Sequence, residues 1–333
     1  MARSDLLLAL VRAGTKGDKP VFRQAVEALA AEERQKKHTI LAEQLTALIA
    51  GNGQPPNGIV PHVNGSARSE LLFYELVPKR RLDELLLAAP VATACRELIE
   101  EQNRTELLRS YGLEPRNRLL LSGPPGNGKT TLAEAIAESL AVPLIVPRYD
   151  QVIGSYLGET AARLARVVEY ARSRPCVLFF DEFDTLGKER GDRHETGEIK
   201  RVVSSLLLQV DQLPSYVVLI AATNHAELLD RAAWRRFQVR LELPPPTKTQ
   251  KVEWLTRFAS AREFDWGIAP TRLADRLCVS NFAELEQFGL DVLRQHVLSL
   301  PNSDLRRIVE TRIEQWKLRQ AVQNTAMNSD VAE

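Results

Sequence analysis

The sequence predicts an α/β protein: a parallel sheet with helices on both faces, a small helical domain after it and a helical bundle before it. Three observations carry that reading. From Leu119 to Ala222 short apolar runs alternate with helical patterns, the signature of successive β-α-β units. Within that stretch Cys176–Phe180 (CVLFF) is apolar without alternation, as a strand covered on both faces must be. After Pro244-Pro245-Pro246 the strand pattern stops and only helical patterns follow.

In chain order, residues 3 to about 50 read as two or three helices. Val21, Phe22, Ala25, Val26 and Leu29 make one apolar face, and Ile40, Leu41, Leu45, Leu48 and Ile49 another. This gives an N-terminal domain over 1–50, a packing appendage or a module that docks a partner. Residues 51–67 carry Gly51, Gly53, Pro55, Pro56, Gly58, Pro61 and Gly65 and read as a linker. The large α/β domain is expected over 68–246. Leu71–Val77 suits a lead-in strand, and a helix with Pro90 in its first turn should run to about Tyr111, closed by Gly112. Strands follow at Leu119–Leu121, Leu144–Val146, 177–180 and Val217–Ala222, alternating with helices at 128–141, 159–174 and 196–211. Helices at 249–261, 270–278, 281–299 and 303–318 make a small domain over 247–323, and 324–333 reads as a frayed polar tail.

Composition narrows the class of function. The 333 residues are 44% hydrophobic and 26% charged, ordinary for a globular chain of about two domains. A formal net charge of +1 supplies no global field for nucleic acid or an anionic membrane. Cys95, Cys176 and Cys278 lie too far apart for a metal spacing or a disulfide framework. No apolar run approaches the roughly 20 residues that span a bilayer, and the short Leu6–Val11 run lacks a cleavage site. The expectation is a cytoplasmic protein with no membrane contact.

The chemistry sits in two motifs. Gly123-Pro124-Pro125-Gly126-Asn127-Gly128-Lys129-Thr130 fits G-x-x-x-x-G-K-[ST] and lies between an apolar run and a helix, the context it requires. Its backbone N–H groups would curl around phosphate oxygens at the positive end of that helix, with Thr131 continuing the nucleotide-binding set. Lys129 is expected to reach the β- and γ-phosphates and the Thr130 hydroxyl to bind Mg²⁺. Asp181 and Glu182 follow the buried strand 176–180, at the carboxyl end where open α/β sheets bind ligands. Adjacent residues there point in opposite directions. Asp181 is thus expected to hold Mg²⁺ through water, and Glu182 to orient and deprotonate the attacking water. The set points to ATP hydrolysis on a P-loop NTPase fold.

From about Leu71 to Leu298 the chain resembles the AAA+ ATPases, nearest to the AAA group proper, the protein remodellers. Thr223-Asn224 resembles the sensor 1 motif, which implies that Asn224 polarises the attacking water. Leu229–Phe237 (LDRAAWRRF) resembles the segment with paired arginine fingers in the katanin and spastin clade. The match implies that Arg235 and Arg236 reach a neighbouring subunit's ATP, in a homo-oligomer that is usually a hexamer. Gly154-Ser155-Tyr156-Leu157-Gly158-Glu159 resembles the first pore loop, with Tyr156, followed by Leu157, gripping a substrate polypeptide. Lys188–Gly197 falls where a second pore loop belongs; His194 and Glu195 within it read as solvated loop rather than metal ligands. One departure stands out: the family's usual Gly-Ala-Asp in the helical domain is replaced by Asn281-Phe282-Ala283-Glu284. The central motifs also look like those of bacterial AAA ATPases encoded beside a subtilisin-like serine protease, which makes such a protease a conceivable partner.

Three readings stay open at this level. The leading one is an ATP-driven ring that engages, threads or remodels a protein of unknown identity. A second is a scaffold switched by nucleotide, or a regulator of a partner enzyme such as a protease; it needs neither a pore aromatic nor a complete hydrolytic set. A third, a nucleic-acid motor, is disfavoured by the near-neutral charge and the lack of a basic block.

Overall fold

The computed structural model describes residues 72–153, 157–186, 206, 208–229 and 231–329, besides the isolated helical residues Ala28 and Ala31. The N-terminal bundle, the linker, Tyr156 and the stretch Lys188–Gly197 lie outside the described residues.

Six strands form one sheet in the order β1-β3-β4-β5-β2-β6. They are β1 Phe73–Leu76, β2 Arg118–Ser122, β3 Leu144–Pro147, β4 Cys176–Phe180, β5 Val217–Thr223 and β6 Val239–Glu242. The α/β class is as expected, with two corrections to the sheet. β1 runs antiparallel to β3, pairing Phe73 with Pro147 and Leu76 with Leu144; the remaining pairs are parallel. The second correction is β6, which lies beyond the last expected strand and pairs with β2 from Leu119–Val239 to Ser122–Glu242. Val239 and Leu241 are buried while Arg240 and Glu242 are exposed. An edge strand with one wet face alternates, and four residues between an arginine pair and three prolines hold only two such alternations.

The central strands show the opposite pattern. Every residue of β4 and β5 is buried, because helices cover the sheet on both sides. One face packs Leu120, Leu178, Phe180, Leu219 and Ala221 against Leu164, Val167 and Val168. These last belong to the helix Leu157–Arg172. The other face packs Leu119, Leu121, Phe179 and Ile220 against Leu98, Leu132 and Ile136, from the helices Ala89–Asn103 and Lys129–Ser139.

In chain order the α-helices are α1 Ala89–Asn103, α2 Thr105–Ser110, α3 Lys129–Ser139, α4 Tyr149–Val152, α5 Leu157–Arg172, α6 Arg231–Arg236, α7 Lys248–Ser260, α8 Pro270–Arg276, α9 Phe282–Leu298 and α10 Leu305–Ser329. The single helix expected from about 81 to 111 is a 3₁₀ turn (Leu82–Glu84) followed by α1 and α2. Arg104 leaves helical geometry at φ −111°, ψ 30° and divides them. Gly112 then ends α2 at φ +74°. Helix α10 continues past residue 318 to Ser329, so part of the expected polar tail prolongs a helix.

Helices α7–α10 share a core of their own, in which Leu255, Phe258, Trp266, Leu285, Phe288, Val309 and Ile313 are buried. Trp266 satisfies its ring N–H by donating to the Leu255 carbonyl at 2.9 Å, the usual requirement for a buried indole. Thr247 caps α7 in a reciprocal capping box with Gln250. Among the described residues no helix is long and apolar enough to cross a membrane.

Candidate active site

The strand order places the chemistry. β4, β5 and β2 are neighbours, so the segments leaving their carboxyl ends meet at one crevice. Those segments are Asp181-Glu182, Asn224 and the loop from Gly123. The result is a cleft of about 490 Å³ between the sheet and the first turn of α9. Pro125, Gly126, Asn127, Gly128, Lys129, Thr130 and Thr131 line it together with Asp181, Glu182 and Asn224.

Glycine is required at two loop positions. Gly123 sits at φ +139°, and a Cβ there would lie 2.3 Å from the Leu243 carbonyl oxygen, just past the end of β6. Leu243 N–H in turn donates to Ser122 O at 2.8 Å, so the contact is backbone on backbone and has no soft side chain to yield. Gly126 has φ +78°, and a Cβ would meet the Asn281 side chain at 2.8 Å. Gly123→Ala is therefore expected to lower stability by at least about 1–3 kcal/mol through backbone strain alone. Urea denaturation checks it: a midpoint equal to wild type would show that the loop can move away from β6.

Lys129 opens α3 and is buried, with its ammonium donating to Gly123 O at 2.6 Å, Pro124 O at 3.1 Å and Asn224 Oδ1 at 2.6 Å. Gly123 and Pro124 thus act through Lys129 rather than by lining the cleft. Desolvation pulls the lysine pKa below its ordinary value, and Asp181, Asp184 and Glu182 partly offset this. An ammonium held by neutral carbonyls in a semi-enclosed cleft is an anion site whose own counter-charge is incomplete. A phosphate chain supplies that charge.

Thr130 Oγ1 donates to Asp181 Oδ2 at 2.7 Å, and Asp181 Oδ1 accepts from the Glu182 N–H at 3.0 Å. Hydroxyl and carboxylate oxygens side by side are the hard donors that suit Mg²⁺, which keeps most of its waters and takes few protein ligands. The residues present therefore fit that ion. Glu182 is left-handed at φ +45°, a conformation that costs a non-glycine residue roughly 1–2 kcal/mol. Strain of this kind collects where a side chain must be aimed rather than relaxed.

Behind the carboxylates lies a buried pair that the sequence did not flag. Thr223 Oγ1 donates to Asp184 Oδ1 at 3.0 Å and accepts from the His225 N–H at 3.0 Å. This ties the turn after β4 to the end of β5, and so sets Asp181 and Asn224 at a fixed spacing.

The helical region closes the cleft with Trp254, Phe282, Ala283 and Glu286. Ala283 N–H donates to Gly126 O at 3.0 Å, so the N-terminus of α9 docks on the phosphate loop itself. Asn281 Oδ1 caps that helix by accepting from Glu284 N–H at 2.8 Å, while Glu284 accepts from Ser280 N–H at 2.7 Å. The departure at 281–284 is thus a helix cap pressed against the loop. On the opposite side the cleft is bounded by Arg80, Glu84 and Leu85–Leu87, an irregular stretch with no pattern to mark it.

The remaining candidates lie elsewhere. Arg235 and Arg236 end α6 and do not line the cleft; Arg235 is exposed. Arg236 Nε donates to Asp211 Oδ2 at 2.8 Å, and Arg118 takes the other oxygen of Asp211 at 2.9 Å. Leu157 is the first residue of α5. Among the described residues no group of three or more His, Cys, Asp or Glu side chains is disposed to hold a metal ion.

Comparison with known proteins agrees with this geometry. The model of the ATPase family associated with various cellular activities (AAA) matches residues 119–245, from β2 to just past the end of β6. A protein of Sinorhizobium fredii named an uncharacterized AAA family ATPase is 34% identical over 304 residues, 90% of this chain and 90% of its own length. The chain belongs to the AAA family of ATPases. The AAA core is also similar to the peroxisomal ATPase pex6 of Schizosaccharomyces pombe, 34% identical over 223 residues, 64% of this chain and 23% of that protein. The cell division cycle protein 48 homolog of Archaeoglobus fulgidus is 37% identical over 153 residues, 44% of this chain and 21% of its own. This AAA ATPase thus spans less than a quarter of either of those two longer proteins.

Proposed function

We propose that this AAA ATPase hydrolyses ATP with Mg²⁺ in the cleft above β4, β5 and β2, and uses the energy to engage and remodel a protein. The observation that supports it most is the hydrogen bond between Thr130 and Asp181 at 2.7 Å. It joins the phosphate loop to the acidic end of β4 across the spot where a divalent ion belongs. Bound there, Mg²⁺ would neutralise charge on the phosphate oxygens. Lys129 then binds the terminal phosphates, with the loop amides of 125–131 around them. Glu182 accepts the proton of the attacking water, and Asn224, already hydrogen-bonded to Lys129, orients that water. Arg235 and Arg236 complete a neighbouring copy's site in a ring of this chain. The cytoplasm is the proposed location, where thiols such as the unpaired Cys95 and Cys176 persist.

Work on a protein is assigned to the segment between α4 and α5, where Tyr156 and Leu157 would contact an extended chain in the ring's channel. The names of similar proteins, a peroxisomal ATPase and a cell division cycle protein 48 homolog, support a remodeller more than an isolated enzyme. The test is Tyr156→Ala, read in two assays. ATP hydrolysis is expected to stay within about twofold of wild type, while ATP-dependent unfolding of a tagged fluorescent substrate is lost. A Tyr156→Ala protein that still unfolds the substrate at the normal rate would remove the gripping role. The apolar, sequence-tolerant contact of an aromatic ring is the physical basis of the expectation.

A further inference from the structure

Tyr149 is absent from every motif above. It is the first residue of α4, shortly after β3. β3 lies beside β4 in parallel, with Leu144 level with Val177 and Ile145 level with Leu178. Counting on from that register brings 149 to the level of 182, so the tyrosine leaves the sheet at the same edge and height as the two carboxylates. Its ring packs against the core on the α5 face of the sheet. Its hydroxyl is buried and has no hydrogen-bond partner.

A buried hydroxyl with no partner forfeits the hydrogen bonds it made to water. Native proteins leave few such groups, and an ordered water is a frequent reason for those found. Burial raises the Tyr149 pKa strongly, and the charges of Asp181, Glu182 and Asp184 raise it further. The phenol therefore stays protonated and faces a cluster of acceptors in which only a donor is welcome. A phenylalanine would satisfy the packing; the oxygen calls for another reason.

We propose that the Tyr149 hydroxyl donates to an ordered water that bridges to the Glu182 carboxylate, making Tyr149 a positioning residue for hydrolysis. The bridge holds the glutamate in the strained left-handed geometry of its backbone (φ +45°), aimed at the attacking water. It rests on the reading of Glu182 as the base. It goes beyond that reading because α4 ends two residues before Gly154-Ser155-Tyr156. A displacement of that segment by bound substrate would shift Tyr149 and, through the water, the readiness of Glu182.

The experiment is Tyr149→Phe, which removes one oxygen and keeps the ring. The kcat for ATP is expected to fall about tenfold, the loss matched to one hydrogen bond. KM and the affinity for a fluorescent ATP analogue stay within twofold, and the melting temperature stays equal or rises. In the Glu182→Gln background the same substitution should cause no further loss, because both act through one group. An unchanged kcat overturns the proposal and leaves the hydroxyl merely stranded. So does a tenfold loss that persists undiminished in Glu182→Gln. If Glu182→Gln itself turns over normally, the parent reading fails instead, and the two failures are told apart by that single control. A fall in melting temperature with a matching loss of nucleotide binding would assign the hydroxyl to folding and also overturn the proposal.

Discussion

Glu182→Gln binds ATP as tightly as the parent and turns it over roughly 10²–10⁴-fold more slowly, the usual worth of a general base. The argument is steric as well as chemical. The amide keeps the size of the carboxylate and the backbone conformation at residue 182, and Lys129, Thr130 and Asp181 remain in place to hold the nucleotide. Only the basicity goes. Lys129→Ala provides the contrast, since it removes the cation that meets the phosphates and frees Asn224 of its 2.6 Å hydrogen bond; binding itself should fail. Phosphate release and titration with a fluorescent ATP analogue separate the two. Turnover of the glutamine variant within a few-fold of the parent would remove Glu182 from the base position and leave the acidic pair as a purely metal-facing one.

The readable parts of this molecule are those where one physical demand dominates. β4 and β5 are buried on both faces, so their sequences are nearly uninterrupted apolar runs. The phosphate loop is legible because wrapping an anion with backbone N–H groups needs glycine at fixed steps; Gly123 and Gly126 meet neighbouring chain where a Cβ would stand. β6 was not legible for the opposite reason. Its side chains answer to two solvents at once, and over four residues that leaves two apolar positions. The division at Arg104 was hidden too, since its cause is a local backbone turn and the flanking residues are good helix formers.

The same contrast holds in the site. Residues that touch phosphate or metal obey the chemistry of those groups, so Lys129, Thr130, Asp181 and Glu182 stand out at once. Residues that touch the rest of the ligand, such as Trp254 and Phe282, answer only to shape. Phe282 and Asn281 did leave one trace, in the break from the family's pattern at 281–284. The structure gives that break a physical meaning, because Asn281 caps α9 and the Ala283 N–H binds Gly126 O. Closing of the helical region is thus communicated to the phosphate loop through backbone. The Asp184–Thr223 pair left no trace, since a buried acid is recognisable only when its partner across the sheet is known.

Arg235→Ala is expected to lower turnover by about 10³-fold or more, the scale of an arginine supplied across a subunit boundary, with nucleotide binding and melting temperature unchanged. Its side chain is exposed at the end of α6, so its own subunit's fold does not lean on it. Arg236→Ala should lose turnover on a similar scale and differ in stability. Arg236 shares Asp211 with Arg118, and its removal takes one of those two arginines from the aspartate. For a partly exposed pair the loss is small, at most about 1 kcal/mol, which a careful melting curve resolves against Arg235→Ala. Asp211 also holds Arg236 against its own subunit, so this arginine must exchange one carboxylate for a neighbour's phosphate when a ring forms. Arg235, exposed beside it, starts from solvent and should be the stronger of the two. The decisive measurement mixes Arg235→Ala with Lys129→Ala, each nearly inactive alone. In a mixed ring an intact Arg235 from the lysine variant faces an intact loop in the arginine variant. Phosphate release by the mixture is therefore expected to exceed the sum of the separate rates, rising with protein concentration as rings assemble. A mixture that never exceeds that sum, under conditions where both variants co-assemble, would place Arg235 outside the neighbour's site and return α6 to the role of a solvated corner of the sheet.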